Sequence, residues 1–177
     1  MDKTQFGVMR GAGLALFMAL AVFAFSVFWI ARVWSVAADV SSRASLAAWS
    51  LLLPALALLV CIARLAMHRF FTPADINGSG LTAGTDKAKL LQALLQNTLE
   101  QSGLALPVYI AASAVMPAAL LPAIPAAAAM FLAGRLSFFA GYANGAPSRA
   151  FGFGMTFYPT VLLLFCVVAF GIGKAFA

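Results

Sequence analysis

Apolar residues run through this chain in long unbroken stretches, with polar residues gathered at their ends. Segments of roughly Gly11–Ala31, Leu46–Met67, Lys87–Val115, Pro122–Tyr142 and Phe151–Gly173 each reach the ~20 residues a helix needs to cross a bilayer. Lipid offers backbone groups no partner, so such segments are predicted to be helices that close their own hydrogen bonds. A barrel strand would need short segments of alternating polarity, and the pattern here does not alternate. The prediction is an all-α integral membrane protein with five spanning helices.

The third segment breaks the pattern. Its middle reads "LLQNTLEQ", residues 94–101, and carries Gln96, Asn97, Glu100 and Gln101. Lys89, Ala93, Asn97 and Glu100 follow helical spacing and fall on one side. Glu100 stands roughly 20 Å along the helix from Lys87, deep in hydrocarbon, where a carboxylate is costly unless paired or wet.

Composition supports the membrane reading. Of 177 residues, 64% are hydrophobic and only 9% charged, against about a quarter charged in soluble domains. The net charge of +6 does not point to nucleic acid, because the cations sit near segment ends. Lys3, Arg10, Arg64, Arg69, Lys87, Lys89, Arg135 and Arg149 fall on one side of the membrane; Arg32, Arg43 and Lys174 fall on the other. The excess places the N-terminus in the cytoplasm and the C-terminus outside. The first segment exceeds the roughly 7–15 apolar residues of a signal peptide and is followed by Arg32 and Trp34, so it reads as a retained helix. Cys61 and Cys166 each lie in an apolar run and read as buried thiols.

The longest polar link is "FTPADINGSGLTAGTDKAK", residues 71–89. Thr72, Pro73 and Asp75 predict a short surface helix with Thr72 as its cap. Asp75, Asn77, Ser79, Gly80 and Asp86 loosely match a calcium loop, but turn chemistry explains the same residues. His68 reads as a solvated residue at a helix end. No cluster of His, Cys and carboxylates suggests a metal site. Gly141 and Gly145 form a small-residue pair, and Pro107 and Pro159 sit inside spans.

Arg135, Phe138 and Tyr142 share a face of the fourth segment. With the third and fourth segments as antiparallel neighbours, Arg135 comes level with Asn97 or Glu100. Two readings follow: an ion pair that locks two helices, or a polar cleft completed by Arg149 that takes a small anionic or zwitterionic ligand.

"LLQNTLEQ" together with "GRLSFFAGYANGAPSR" resembles the MAPEG family, membrane-associated proteins in eicosanoid and glutathione metabolism, and is closest to its bacterial members. The resemblance spans roughly Leu46–Lys174. It implies a four-helix bundle at 46–177, preceded by an extra transmembrane helix and link at 1–45. It also implies a homotrimer in a bacterial inner membrane. Glutathione is the implied cofactor, and conjugation, peroxide reduction or isomerisation of lipophilic substrates the implied chemistry. By position, Asn97, Glu100, Arg135 and Tyr142 match glutathione-site residues, and Arg149 matches an arginine that stabilises the glutathione thiolate. Two positions depart from the pattern. Ala93 stands where glutathione-using members often carry Arg, and Phe138 where they often carry a second Tyr. Lys89 supplies a charge one turn from Ala93, without bidentate geometry. A non-catalytic protein binding a lipid or protein partner in the same cleft remains the alternative; a transporter would need paired broken helices that are not visible.

Overall fold

A computed structural model of the chain describes residues 1–37, 39–78 and 80–175. Five long helices form where the apolar segments predict them. They are α1 (Lys3–Val33), α2 (Val40–Phe71), α3 (Asp86–Val115), α4 (Ala123–Gly141) and α5 (Ala146–Ala175). All but α3 are long and apolar enough to cross a membrane. α3 is equally long but carries the polar residues of the 94–101 stretch.

Most of the helices begin earlier than the apolar runs, because polar residues cap them. Asp2 accepts from Gln5 N at 2.6 Å, and Gln5 Oε1 accepts in turn from Asp2 N at 3.1 Å. Asp39 accepts from Ser42 N at 2.9 Å and from the Ser41 hydroxyl, and these bonds hold its carboxyl below the usual range. Thr85 caps α3 through Ala88 N. At the far end of α3, Arg43 donates to the carbonyls of Ser113 and Met116 at 2.7 and 2.9 Å, satisfying acceptors that have no partner within their own helix.

α2, α3, α5 and α4 form a ring in which each packs on the next. α3 and α4 therefore lie diagonally and touch little. This corrects the expectation that consecutive antiparallel helices would be neighbours. The reason is a preference for other partners: α4 is drawn onto α5 by glycine contacts and α3 onto α2. α1 stands outside the ring and docks mainly on α5.

The distribution of polarity is inverted relative to a soluble bundle. Phe17, Trp49, Leu59 and Phe165 face outwards, while Arg135, Thr98, Thr156 and Thr160 are fully buried. Lipid accepts the first set, and neighbouring helices satisfy the second. Cys61 is buried against the Thr98 hydroxyl at 3.4 Å.

The α2–α3 link folds back as a clasp. Asp75 is buried and accepts from Thr85 N at 2.8 Å and Thr85 Oγ1 at 2.6 Å, with His68 Nε2 2.9 Å away. His68 is thus tied into the loop rather than solvated, because the 3-10 turn Pro73–Asp75 brings the carboxylate back over it. Thr72 precedes that turn but makes no side-chain cap bond; its hydroxyl lies 3.4 Å from His68 Nδ1. The calcium-like pattern does not converge: Asp75 is engaged internally and Asp86 faces outwards beside Lys89 at 3.5 Å. Ser79 of that pattern lies outside the described residues.

The Thr85 hydroxyl and amide, with His68 beside them, hold the Asp75 carboxyl below the usual carboxylate range. A depressed carboxylate pKa contributes stability that is present above the unfolded value, roughly 4, and lost as pH falls through the folded value. The clasp is expected to hold at neutral pH and to open only in stronger acid. Proteolysis of residues 76–84 by an acid-active protease should begin at a higher pH in Asp75→Asn than in the parent. Equal onset in both would remove the role given to Asp75.

Candidate functional site

Arg135 is the largest buried polar side chain, with no exposed surface. α4 carries it inward on the same side as Phe131 and Phe138, and its guanidinium lies over Phe138 at 4.4 Å. From there it crosses the bundle diagonal. Nη1 donates to Asn97 Oδ1 on α3 at 2.8 Å, and Nη2 donates to Thr156 Oγ1 on α5 at 2.7 Å. Nε has no partner among the described residues. One arginine thus ties three helices together without a carboxylate.

The tie fixes the Asn97 amide. With Oδ1 committed to the guanidinium, Nδ2 remains as a donor toward whatever occupies the space beside it. That space is a cavity of about 450 Å³, lined among others by Asn97, Phe138, Tyr142, Arg149, Phe153 and Tyr158. Its size is in the range of small-molecule sites, roughly 300–1,000 Å³.

Aromatic contacts order the polar end. Phe138 meets the Tyr142 ring edge-on with centroids 5.2 Å apart, and the Arg149 guanidinium lies over the other partner of that pair, Tyr142, at 4.5 Å. Arg135, Phe138, Tyr142 and Arg149 therefore form a continuous cation–ring–ring–cation series. No carboxylate pairs with Arg149 among the described residues. Gly145, with φ of 93°, turns the chain between Tyr142 and Arg149 and lets both reach the same cavity.

Asn97, Arg135, Tyr142 and Arg149 are brought together. Glu100 and Lys89 are not. Glu100 is exposed on α3 and accepts from Gln96 Nε2 at 2.9 Å. Lys89 and Ala93 line a separate cavity of about 360 Å³ under the α2–α3 link. Helical geometry explains the split, since two four-residue steps turn Asn97 roughly 80° from Lys89, toward α4 and α5. Of the two carboxamide and carboxylate partners open to Arg135, the structure pairs it with Asn97.

Thr156, Tyr158, Val8 and Ala12 belong to the site but carry no signal in a motif search. Thr156 had one available clue: it follows Gly152 at four-residue spacing, so small and polar residues share the α5 face that meets α4. Val8 and Ala12 had a similar clue in the stripe Gly7, Gly11, Ala15 and Ala19 beside them.

A family model, the MAPEG family, matches residues 44–169. No curated protein and no solved structure matches the chain.

Proposed function

Because this chain belongs to the MAPEG family, we propose that it is a membrane-embedded, glutathione-dependent transferase or peroxidase acting on lipophilic electrophiles. The observation that carries the reading is that Asn97, Tyr142 and Arg149 line one cavity, with Arg135 bonded to Asn97 behind it. An isolated structural tie needs Arg135 and its two partners; it does not need a second guanidinium held over a tyrosine at the mouth.

In this reading glutathione enters from the end of the bundle where α1 begins, which the cation count places in the cytoplasm. Asn97 Nδ2 donates to a ligand carboxylate or carbonyl. Arg149 faces the sulfur. A thiol with pKa of roughly 8.5 is mostly protonated at neutral pH, and a fixed cation lowers that value and raises the thiolate fraction. Bound glutathione would supply a thiolate nucleophile for a lipid-borne electrophile, forming a sulfur bond as the electrophile's leaving group departs or its adduct takes a proton from water. Glu100 suits the ligand's ammonium group, and Lys89 a carboxylate, if a second copy presents them to this cavity. An exposed carboxylate at membrane depth supports such a copy, since lipid disfavours it. A homotrimer in a bacterial inner membrane, N-terminus inside, completes the proposal; native mass spectrometry and reporter fusions at each end check assembly and orientation.

A second reading, a non-catalytic lipid- or partner-binding protein, is favoured by one observation. Phe138 puts no hydroxyl in the cavity.

The two readings separate at Arg149. Glutathione binding by calorimetry, followed by titration of thiolate absorbance in the ultraviolet, should give a depressed thiol pKa in the parent. Arg149→Ala is expected to raise that pKa by about one unit, roughly 1.4 kcal/mol, and to cut turnover about tenfold. An unchanged titration would remove the catalytic role and leave the binding protein.

A further inference from the structure

A second cavity lies at the end of the bundle away from Arg149. α1 begins beside the Arg149 turn, where Gly7 meets Pro147 and Gly11 meets Ala150, and it runs the length of the bundle to Val33. Trp34 is extended, with φ of −139° and ψ of 116°, and ends the helix. The link it opens encloses a space of about 590 Å³ together with the first turns of α2 and with Pro125 and Ala128 of α4. That link lies outside the family-matched residues 44–169. We propose that this cavity binds the neutral sugar headgroup of a membrane lipid, at the membrane face opposite Arg149.

Three observations carry this. The first is a set of hydroxyls with nothing to do. Ser42, Ser45 and Trp49 follow helical spacing on α2 and share the side that lines the cavity, and Ser35 lines it from the link. Capping of α2 uses part of this set: Asp39 accepts from the Ser41 hydroxyl at 2.6 Å and from Ser42 N at 2.9 Å. It does not use Ser35 or Ser45. Both are exposed, and neither hydroxyl makes a hydrogen bond among the described residues. Deeper in, the Ser50 hydroxyl donates to the Leu46 carbonyl. Pro54 has no N–H for the Ser50 carbonyl one turn earlier, which leaves a backbone acceptor without its helical partner at a residue that lines the cavity.

The second is charge. The residues that line the cavity include no ionisable side chain. The charged residues nearest in sequence are engaged: Arg32 lies over the Trp29 ring at 5.9 Å, Asp39 holds Ser41 and Ser42, and Arg43 donates to the Ser113 and Met116 carbonyls. A phosphate headgroup would find no cation here. Sugar hydroxyls match serine hydroxyls and indole N–H groups without one.

The third is the rim. Trp34 and Trp49 are exposed, and neither ring has an aromatic, cationic or hydrogen-bond partner among the described residues. An indole offers an apolar face to the C–H side of a sugar ring and one donor to its oxygens. An interfacial aromatic belt accounts for indoles at this depth, but not for the two idle serines beside them. From Trp49, Leu52, Leu56 and Leu59 continue an exposed apolar stripe down α2 toward the middle of the membrane. Acyl chains attached to the sugar would lie along it, which makes a lipid rather than a free sugar the ligand. The inference does not depend on glutathione.

The test uses the full chain carrying Trp29→Phe, which leaves Trp34 and Trp49 as its tryptophans, in phosphatidylcholine nanodiscs. Monoglucosyl diacylglycerol is added stepwise and indole emission is followed. A blue shift that saturates is expected. Phosphatidylserine at the same mole fractions should give no saturable change. Ser35→Ala combined with Ser45→Ala should weaken glucolipid binding about tenfold; both residues are exposed and unpartnered, so the unfolding temperature should stay at that of the parent. Ser45→Leu, which places a branched apolar side chain in the cavity, should abolish saturation. Methyl glucoside in solution separates the sources: it should bind far more weakly than the glucolipid, and equal affinity would overturn the assignment to a lipid. An unsaturable response to glucolipid, an equal response to phosphatidylserine, or unchanged binding in the double serine variant would overturn the site itself.

Discussion

Arg135→Met is expected to leave the protein folded but unable to hold ligand, while Arg135→Ala is expected to destabilise it by about 3–5 kcal/mol. The difference comes from what the guanidinium contributes. Burying it without a carboxylate costs several kcal/mol even after relaxation. Against that stand two hydrogen bonds from a charged donor, to Asn97 and Thr156, worth about 1.5–3 kcal/mol each. The Phe138 face adds about 2 kcal/mol when desolvated. The sum is close to balance, so stability alone gives little reason to keep a charge there. Methionine fills most of the volume and removes the buried charge together with its bonds. Alanine, like methionine, leaves Asn97 and Thr156 without their donor, and it adds a cavity at the crossing of three helices. In both variants the Asn97 amide is free to turn, and the donor facing the cavity is no longer fixed. Glutathione binding should fall with Met and Ala alike. Arg135→Lys keeps the charge but reaches only one of the two partners, so it should also bind poorly. Thermal inactivation in detergent and calorimetry on the same samples check this. Normal binding by Arg135→Met would make Arg135 a structural tie and detach it from the site.

Much of this arrangement is legible in the residues, and the parts that are not have physical causes. The five helices follow from apolar runs because a bilayer enforces length and internal hydrogen bonding. Arg135 facing inward follows from the cost of a charge in lipid. Its partner does not follow, because Asn97 and Glu100 lie one turn apart and a long side chain reaches either; only the diagonal placement of α3 and α4 decides it. Spacing alone also puts Lys89 with Asn97, and it ignores the angular drift that separates them over two turns. His68 looks like a solvated helix end, since nothing local shows that Asp75 returns over it through a 3-10 turn. Val8 and Ala12 are invisible as site residues for the opposite reason: neither carries chemistry, and what places them is the small size of their neighbours Gly7 and Gly11, which lets α1 approach α5.

The same closeness makes Gly152 one of the most sensitive positions in the α4–α5 pair. A Cβ there would overlap Phe138 N and lie 2.7 Å from Gly134 O. These are backbone atoms inside a helix, so no side chain can rotate away. Overpacking in a core usually costs about 1–3 kcal/mol because neighbours give slightly; where they cannot, the helices must separate and the cost rises to about 3 kcal/mol or more. Gly134 repeats the contact from the other side, with an added Cβ 2.9 Å from Gly152 O. Separation would also act on the site. Thr156 lies one turn beyond Gly152 and holds Arg135 by a 2.7 Å bond, so moving α5 away lengthens that bond and loosens Asn97 behind it. Gly152→Ala should therefore inactivate far faster on warming than the parent and lose glutathione binding before it loses helix content. Gly13→Ala on α1 is the matched control, with nothing within 4 Å of the added methyl group; alanine in an open helical position should be neutral or stabilise by about 0.5–1 kcal/mol. A Gly152→Ala protein as stable as Gly13→Ala would mean that α4 and α5 have room to part, and that the fixed geometry assigned to Arg135 and Thr156 is not what holds the site together.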